Sequence, residues 1–464
     1  MALPCRARRA TRNPLVPGKG AVYYNSYEGA GLRPRGDAVM SRRFVLDPFG
    51  DKYAHRTSSM LSSEIRDLLA VTARRDIISL AGGLPYTQAM DPGVILGLVE
   101  EVLREDHAAA LQYGPTDGYA PLKRSLVEVM REEGIPCLPE DIIITNGAQQ
   151  GLEIISKIFI NPGDDIVTEA PSYVGALNSF LSYQPRIHAV PIDGEGMLLD
   201  PLEKTLRSLS ARGRQVKFIY TVPNFHNPAG VTMSTERRYG LLQLAETYDC
   251  LVVEDNPYGL LRFEGEPCPA LRSLDENRVI YLGTLSKIFS AGMRIGWVAA
   301  PHPILEKLLL AKQSADLCTS SFTQRVAHLY FSRHDWRGQI GQLVEIYRER
   351  RNVMLEAMEE YLSGIASWTR PQGGLFLWVT LPEFIRTSDM LASAIDAKVA
   401  YVPGRGFFPY EGGENSMRLN FSYPEPELVW EGIKRLSKVI KREVALAKSL
   451  GLGPRANGHP GTEE

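Results

Sequence analysis

Val279-Ile280-Tyr281-Leu282-Gly283-Thr284-Leu285-Ser286-Lys287-Ile288-Phe289-Ser290-Ala291-Gly292-Met293-Arg294 reads as an apolar strand that runs into two hydroxyls, a lysine and, seven residues beyond the lysine, an arginine. Working outward, short β-rich runs alternate with helical ones from about Asp76 to Ala300. Strands are expected at Ile142 to Thr145, Asp165 to Glu169, Ile187 to Val190, Val216 to Thr221, Leu251 to Glu254, Val279 to Gly283 and Ile295 to Ala300, with helices at Gly147 to Phe159, Tyr173 to Leu181 and Thr235 to Tyr248. Such alternation builds an α/β fold, a mostly parallel sheet flanked by helices. Ligands in these sheets gather at the carboxyl ends of the strands, where this lysine falls.

Beyond Thr323 the texture changes to a long helical stretch (Phe322 to Tyr361), short strands near Trp368 and Leu375, a strand at Met417 to Phe421 and a final helix to about Leu450. The expected organisation is a large domain at 76–322 and a smaller α+β domain from 41–75 and 323–450. Residues 1–40 are expected to be a disordered or processed extension, and 451–464 a disordered tail rich in Gly and Pro. The 464 residues carry 52 Lys+Arg against 54 Asp+Glu, a net charge of -2, so neither wholesale disorder nor nucleic-acid electrostatics is expected. Cys5, Cys137, Cys250, Cys268 and Cys318 have no CxxC spacing, which disfavours a disulfide framework or a structural zinc site and suits a reducing compartment. Even the apolar run from Val279 to Ala300 contains Lys287 and Arg294, so no membrane span is expected. Before Glu28 the chain holds Arg6, Arg8, Arg9, Arg12 and Lys19 and no acid, the bias of a transit peptide, although Pro4, Pro14 and Pro17 interrupt any helix there. Met40 is an alternative start. The cytoplasm is the expected location, with an organelle as the alternative if the basic segment is a targeting signal.

Lysines are ordinarily solvated surface residues. Lys287 is set apart by its place at a strand end, bracketed by Thr284 and Ser286 and followed by Arg294. A nearby cation or desolvation lowers a lysine's pKa and frees its amine for a carbonyl, while the hydroxyls and the arginine suit a phosphate. In Leu251-Val252-Val253-Glu254-Asp255-Asn256-Pro257-Tyr258 an acid ends another strand. Alone, Asp255 reads equally as a cap or loop acid; beside Lys287 it suits a protonated heterocyclic nitrogen. Pro223-Asn224-Phe225-His226-Asn227-Pro228-Ala229-Gly230 is a turn on composition, with His226 read as a loop histidine. Thr145-Asn146-Gly147-Ala148-Gln149-Gln150-Gly151 bends a strand into a helix whose free amides form an anion site.

Together, and in this chain order, these segments resemble the fold-type I pyridoxal-phosphate enzymes, and among them the class I/II aminotransferases; the likeness runs from about Ser59 to Leu450. The resemblance implies that 76–322 binds pyridoxal 5'-phosphate and that Lys287 is the catalytic residue, forming a Schiff base with the cofactor and shuttling the substrate α-proton. It implies that Asp255 holds the ring nitrogen, that Asn227 and Tyr258 hold the ring oxygen, and that Tyr173 stacks on the ring. Main-chain amides of Ala148 and Gln149, with Thr284, Ser286 and Arg294, would bind the phosphate. Tyr113 would reach the phosphate across a homodimer interface, and Arg418, in Met417-Arg418-Leu419-Asn420-Phe421, would clamp the substrate α-carboxylate. Ala148 and Ala229 stand where the family more often has hydroxyl residues.

Met60-Leu61-Ser62-Ser63-Glu64-Ile65-Arg66 and Leu80-Ala81-Gly82-Gly83-Leu84-Pro85 look like the 2-aminoadipate and kynurenine aminotransferase subgroup, which has a mobile N-terminal lid. By position Gly83 would lie near the substrate carboxylate, and Arg66 would pair with a second, side-chain carboxylate. The implied activity is ping-pong transfer from 2-aminoadipate, glutamate, or aromatic or branched-chain donors to 2-oxoglutarate, with amino and 2-oxo acids as the only partners besides a second copy of the chain. A β-elimination lyase or decarboxylase on the same scaffold is the alternative. A cofactor-sensing transcription regulator is a further one, opposed by the short stretch before the lid and the lack of a basic recognition helix.

Overall fold

The computed structural model describes residues 47–60, 74 and 76–452. The expected extension at 1–40, most of the lid segment with Arg66, and the tail beyond Leu452 lie outside the described residues. Residues 47–57 belong to a unit of their own, a turn in which Asp47 accepts from the Phe49 amide at 2.9 Å.

In chain order the strands are β1 (Ile78–Ser79), β2 (Ile142–Thr145), β3 (Asp165–Ala170), β4 (Arg186–Asp193), β5 (Gly196–Met197), β6 (Val216–Thr221), β7 (Leu251–Asp255), β8 (Val279–Thr284), β9 (Gly296–Ala299), β10 (Ser367–Trp368), β11 (Phe376–Thr380), β12 (Val399–Ala400), β13 (Val402–Pro403) and β14 (Ser416–Asn420). β2 to β9 form one eight-stranded sheet in the order β2-β9-β8-β7-β6-β3-β4-β5. From β8 to β4 every neighbouring pair is parallel, whereas β9 runs antiparallel to both β2 and β8, and β5 antiparallel to β4. The expected mostly parallel α/β sheet is present.

Successive side chains of a strand point to opposite faces, and the core divides accordingly. Phe218, Tyr220, Val253 and Ile280 belong to one apolar layer, while Ile219, Val252 and Val279 belong to the other. Leu202, Leu206, Leu241 and Ala245 cover that second face from the helices Leu199–Ser210 and Thr235–Thr247. Because both faces are dry, these strands read as continuous apolar runs rather than alternating ones.

β10, β11, β14 and β13 form a separate antiparallel sheet, in which Arg418 of β14 pairs with Trp378 of β11 and Val402 of β13. The first core layer continues through Leu377, Met417 and Leu419 of this sheet, and the described residues from Ser58 on form one compact unit. β1 pairs with β12, after which Leu80 bonds Ala400 and Asn420, threading the segment 80–84 past the end of β14. The helical stretch expected over 322–361 is two helices, Ser321–Arg333 and Trp336–Leu362. Asp335 interrupts it by capping the second helix, accepting from the Gly338 amide at 2.9 Å.

Gly296 of β9 faces Thr145 of β2 on one side and Thr284 of β8 on the other. A β-carbon there would lie 2.5 Å from the Ala148 amide nitrogen. Gly296→Ala should therefore destabilise the protein by about 1–3 kcal/mol through overpacking, read as a lower midpoint in calorimetric unfolding.

Candidate active site

A cavity of about 590 Å³ opens at the carboxyl ends of β6, β7 and β8. Of the residues singled out in the sequence, Gly83, Ala148, Gln149, Tyr173, Asn227, Asp255, Tyr258, Thr284, Ser286, Lys287, Arg294 and Arg418 all line it. Tyr113 does not; it is 77% exposed and borders a smaller cavity with Tyr119 and Ser321. His226 is buried but does not line the cavity.

The chain leaves β8 in a single π-helical turn, Ser286–Ser290, a geometry frequent at functional sites. Lys287 Nζ donates from this turn to the Gly83 carbonyl at 2.7 Å. Burial, reinforced by the positive charges of Arg418 and Arg294, pushes its pKa down to about 8. Asp255, at the end of β7, is shifted in the opposite sense. Burial pushes its pKa up to about 7, opposed by the Tyr220 hydroxyl, which donates to Oδ2 at 2.8 Å, and reinforced by the charge of Glu169. A cation placed against Asp255 would return it to the ionised form.

Asn227, in the turn after β6, links two groups. Its Oδ1 accepts from Arg418 Nη1 at 2.9 Å, and its amide lies 3.5 Å from the Tyr258 hydroxyl, which burial holds above the usual phenol range. Arg418 also donates from Nη2 to the Ala81 carbonyl at 2.8 Å, and its guanidinium lies 4.2 Å from the Phe376 ring centre and 5.2 Å from that of Phe407. Its Nε is buried with no hydrogen-bond partner among the described residues, and burial pushes its pKa down to about 10. A buried guanidinium with a spare donor on a cavity is suited to a carboxylate, which takes two parallel N–H bonds.

On the other side, Gly147 turns β2 into the helix Ala148–Phe159 at φ +75°, a conformation that L side chains rarely adopt. A β-carbon at Gly147 would meet the Arg294 guanidinium. Arg294 donates from Nη2 to the Asn146 carbonyl at 3.2 Å, and Thr284 Oγ1 donates to Ser286 Oγ at 2.9 Å. Free amides at a helix start, two hydroxyls and a guanidinium make an anion cradle suited to phosphate. The Tyr173 hydroxyl reaches Gln149 Oε1 at 3.2 Å, and burial pushes its pKa up to about 12.

Tyr220 and Glu169 belong to none of the sequence motifs. Glu169 is buried and accepts from Thr221 Oγ1 at 2.6 Å and the Val222 amide at 2.9 Å. His226 Nε2 lies 3.0 Å from Glu169 Oε2, outside hydrogen-bond alignment, and its Nδ1 accepts from the Ala229 amide at 3.3 Å. The only sequence signal for these groups was polarity within strands that otherwise read as apolar.

The family model for aminotransferase class I and II matches residues 75–436. The chain belongs to the class I and II aminotransferases. The aminotransferase is 48% identical over 394 residues to aromatic-amino-acid aminotransferase 1 of Thermococcus litoralis, with 84% of this chain and 94% of that relative covered. It is 36% identical over 389 residues to the 2-aminoadipate transaminase of Thermus thermophilus, with 83% of this chain and 95% of that relative covered. The crystal structure of kynurenine aminotransferase from Pyrococcus horikoshii, in complex with PMP, is similar at a TM-score of 0.81 and 45% identity, over 85% of this chain and 99% of that one. The aminotransferase has the fold-type I architecture, and its cofactor is pyridoxal phosphate. Among the described residues no helix is long and apolar enough to cross a membrane.

Because burial and two cations lower the pKa of Lys287, its amine in the cofactor-free aminotransferase should react with a small aldehyde, under reductive trapping, with a pH midpoint of about 8. Removing a cation must raise that midpoint, so Arg418→Met should move it upward; peptide mass spectrometry of modified Lys287 reads both.

Proposed function

We propose that this aminotransferase moves amino groups from 2-aminoadipate, glutamate, and aromatic or branched-chain donors to 2-oxoglutarate by a ping-pong mechanism. The observation that carries the reading is one cavity holding Lys287, Asp255 and Arg418 together. The names of the relatives, aromatic-amino-acid aminotransferase and 2-aminoadipate transaminase, support both donor classes.

The residues suit the cofactor. The amides of Ala148 and Gln149, with Thr284, Ser286 and Arg294, would hold its phosphate, Asp255 its ring nitrogen, Asn227 and Tyr258 its ring oxygen, and Tyr173 its face. Bound pyridoxal phosphate supplies a carbonyl carbon that takes up the amino group and a ring that withdraws electrons from the substrate α-carbon. Arg418 binds the α-carboxylate and so fixes which α-carbon bond faces Lys287. Lys287 Nζ, its pKa lowered, takes the α-proton and later returns it to the carbon that gains the nitrogen, as general base and then acid. Asp255 keeps negative charge at the ring nitrogen in a dry setting, where it acts most strongly. Gly83 lies beside the carboxylate end, and Arg66, placed by sequence alone, binds a second carboxylate on acidic substrates. Tyr113 serves the phosphate of a second copy in a homodimer, in keeping with its exposure and with its absence from the lining of its own chain's cavity.

Lys287→Ala should abolish turnover with every donor, and unchanged turnover would overturn the reading. Arg418→Lys should lose about 2–4 kcal/mol of transition-state stabilisation, roughly 30- to 1,000-fold in kcat/KM, because an ammonium cannot make the paired contact. A panel of donors assayed with and without 2-oxoglutarate identifies the substrates. Product formation without any 2-oxo acid acceptor would favour elimination or decarboxylation instead. Arg66→Ala should slow the half-reactions of 2-aminoadipate and 2-oxoglutarate while sparing those of apolar donors.

A further inference from the structure

Lys312, in the helix His302–Asp316, is fully buried, far from the surface role usual for lysine. Its Nζ donates to Gln150 Oε1 at 3.2 Å, to the two Asp316 carboxylate oxygens at 2.9 and 2.8 Å, and to Thr319 Oγ1 at 3.0 Å. The three protons of an ammonium thus meet the side chains of three residues. Two of these residues hold Asn146, immediately before the Gly147 turn. Gln150 Oε1 accepts from the Asn146 amide at 2.8 Å, and Asp316 Oδ2 accepts from Asn146 Nδ2 at 2.6 Å. The third, Thr319, donates to the Ile144 carbonyl of β2 at 3.3 Å. The main-chain carbonyl of Asn146 in turn accepts from Arg294.

The backbone bends to build this cluster. Leu317 stands at φ +65°, ψ -57°, and the Cys318 amide donates to the Asp316 carbonyl at 2.7 Å. That is a γ-turn of the rare positive-φ kind, a strained conformation that persists only where its surroundings over-determine it. It carries the chain from Asp316 back to Thr319, both partners of the same ammonium. A well-packed apolar side chain would fill the space with equal or better stability, so stability alone gives little reason for a buried, hydrogen-bonded cation. A fixed geometry does.

We propose that Lys312 is a positioning residue for the phosphate of the cofactor. It anchors Gln150 and Asp316, these fix Asn146, and Asn146 aims Gly147 and the amides of Ala148 and Gln149 into the cavity. The inference rests on the reading above that those amides bind the phosphate.

The test compares holoenzymes. Lys312→Met should raise the dissociation constant for pyridoxal phosphate about 10- to 100-fold, the scale of a lost charged hydrogen-bond anchor, and should shift the 31P resonance of the bound phosphate while leaving the visible absorption of the bound cofactor in place. Gln150→Leu should reproduce this, whereas Gln150→Glu, which still accepts from both Lys312 and the Asn146 amide, should not. The comparison variant is Arg272→Met, which removes a buried cation at the opposite end of β8, where it donates to the Val279 carbonyl at 2.8 Å. It should lower the thermal midpoint without moving the 31P signal. If Lys312→Met behaves like Arg272→Met, less stable but with unchanged affinity and 31P signal, Lys312 has only a structural role and the proposal fails. If Lys312→Met does not fold, the pair at Gln150 decides: equal affinities of the Leu and Glu variants overturn it. Arg294→Met separates the two readings, since unchanged affinity and 31P signal there would overturn the phosphate assignment itself and this inference with it.

Discussion

The buried guanidinium of Arg418 ties the site together. It projects from β14 of the small sheet, bonds Asn227 in the turn after β6 of the large sheet, and bonds Ala81 on the strap leading from β1. Three stretches distant in sequence meet at one planar, rigid donor group. Such a group is costly to bury, and here the cost is offset by two hydrogen bonds and the faces of Phe376 and Phe407. The position of this guanidinium relative to Lys287 is therefore set by both sheets at once, and a shift of either sheet would change the spacing of the two cations across the cavity.

Burial does different work on the two other ionisable groups at the centre. Water exclusion disfavours charge on Lys287 and on Asp255 alike, pushing the amine down to about 8 and the carboxyl up to about 7. The protein thus holds a base and an acid whose charge states depend on what stands beside them. A cationic ring nitrogen would ionise Asp255, and a carbonyl would consume the free amine of Lys287. Tyr220, through its hydrogen bond to Asp255, keeps the carboxyl from drifting further toward the neutral form.

Much of this was legible in the sequence, for a physical reason. Asp255 ends a strand, and Lys287, Asn227 and Ala148 follow strands within a few residues, so local pattern places them at one sheet edge once the strands are recognised. Arg418 needed the small sheet, and only its apolar flanks hinted at burial. Tyr220 and Glu169 were passed over because polar residues inside a strand reveal their role only when the register shows which face they occupy. Lys312 was invisible, since a lysine in Ala311-Lys312-Gln313-Ser314-Ala315-Asp316 looks like any helix cation, and its partners Gln150 and Thr319 arrive from elsewhere in the chain. β1 and β12, two residues each, are too short for any periodicity to show.

The antiparallel placement of β9 turns the sheet into a gauge. Thr145 and Thr284 close the strands that carry the two halves of the anion cradle, and both lie opposite Gly296. Their separation is two interstrand spacings, about 10 Å, a length set by main-chain hydrogen bonds rather than by side chains. Substitutions that reshape the substrate end of the cavity leave that length untouched. Donor range can therefore diversify on this scaffold while the cradle keeps one calibre.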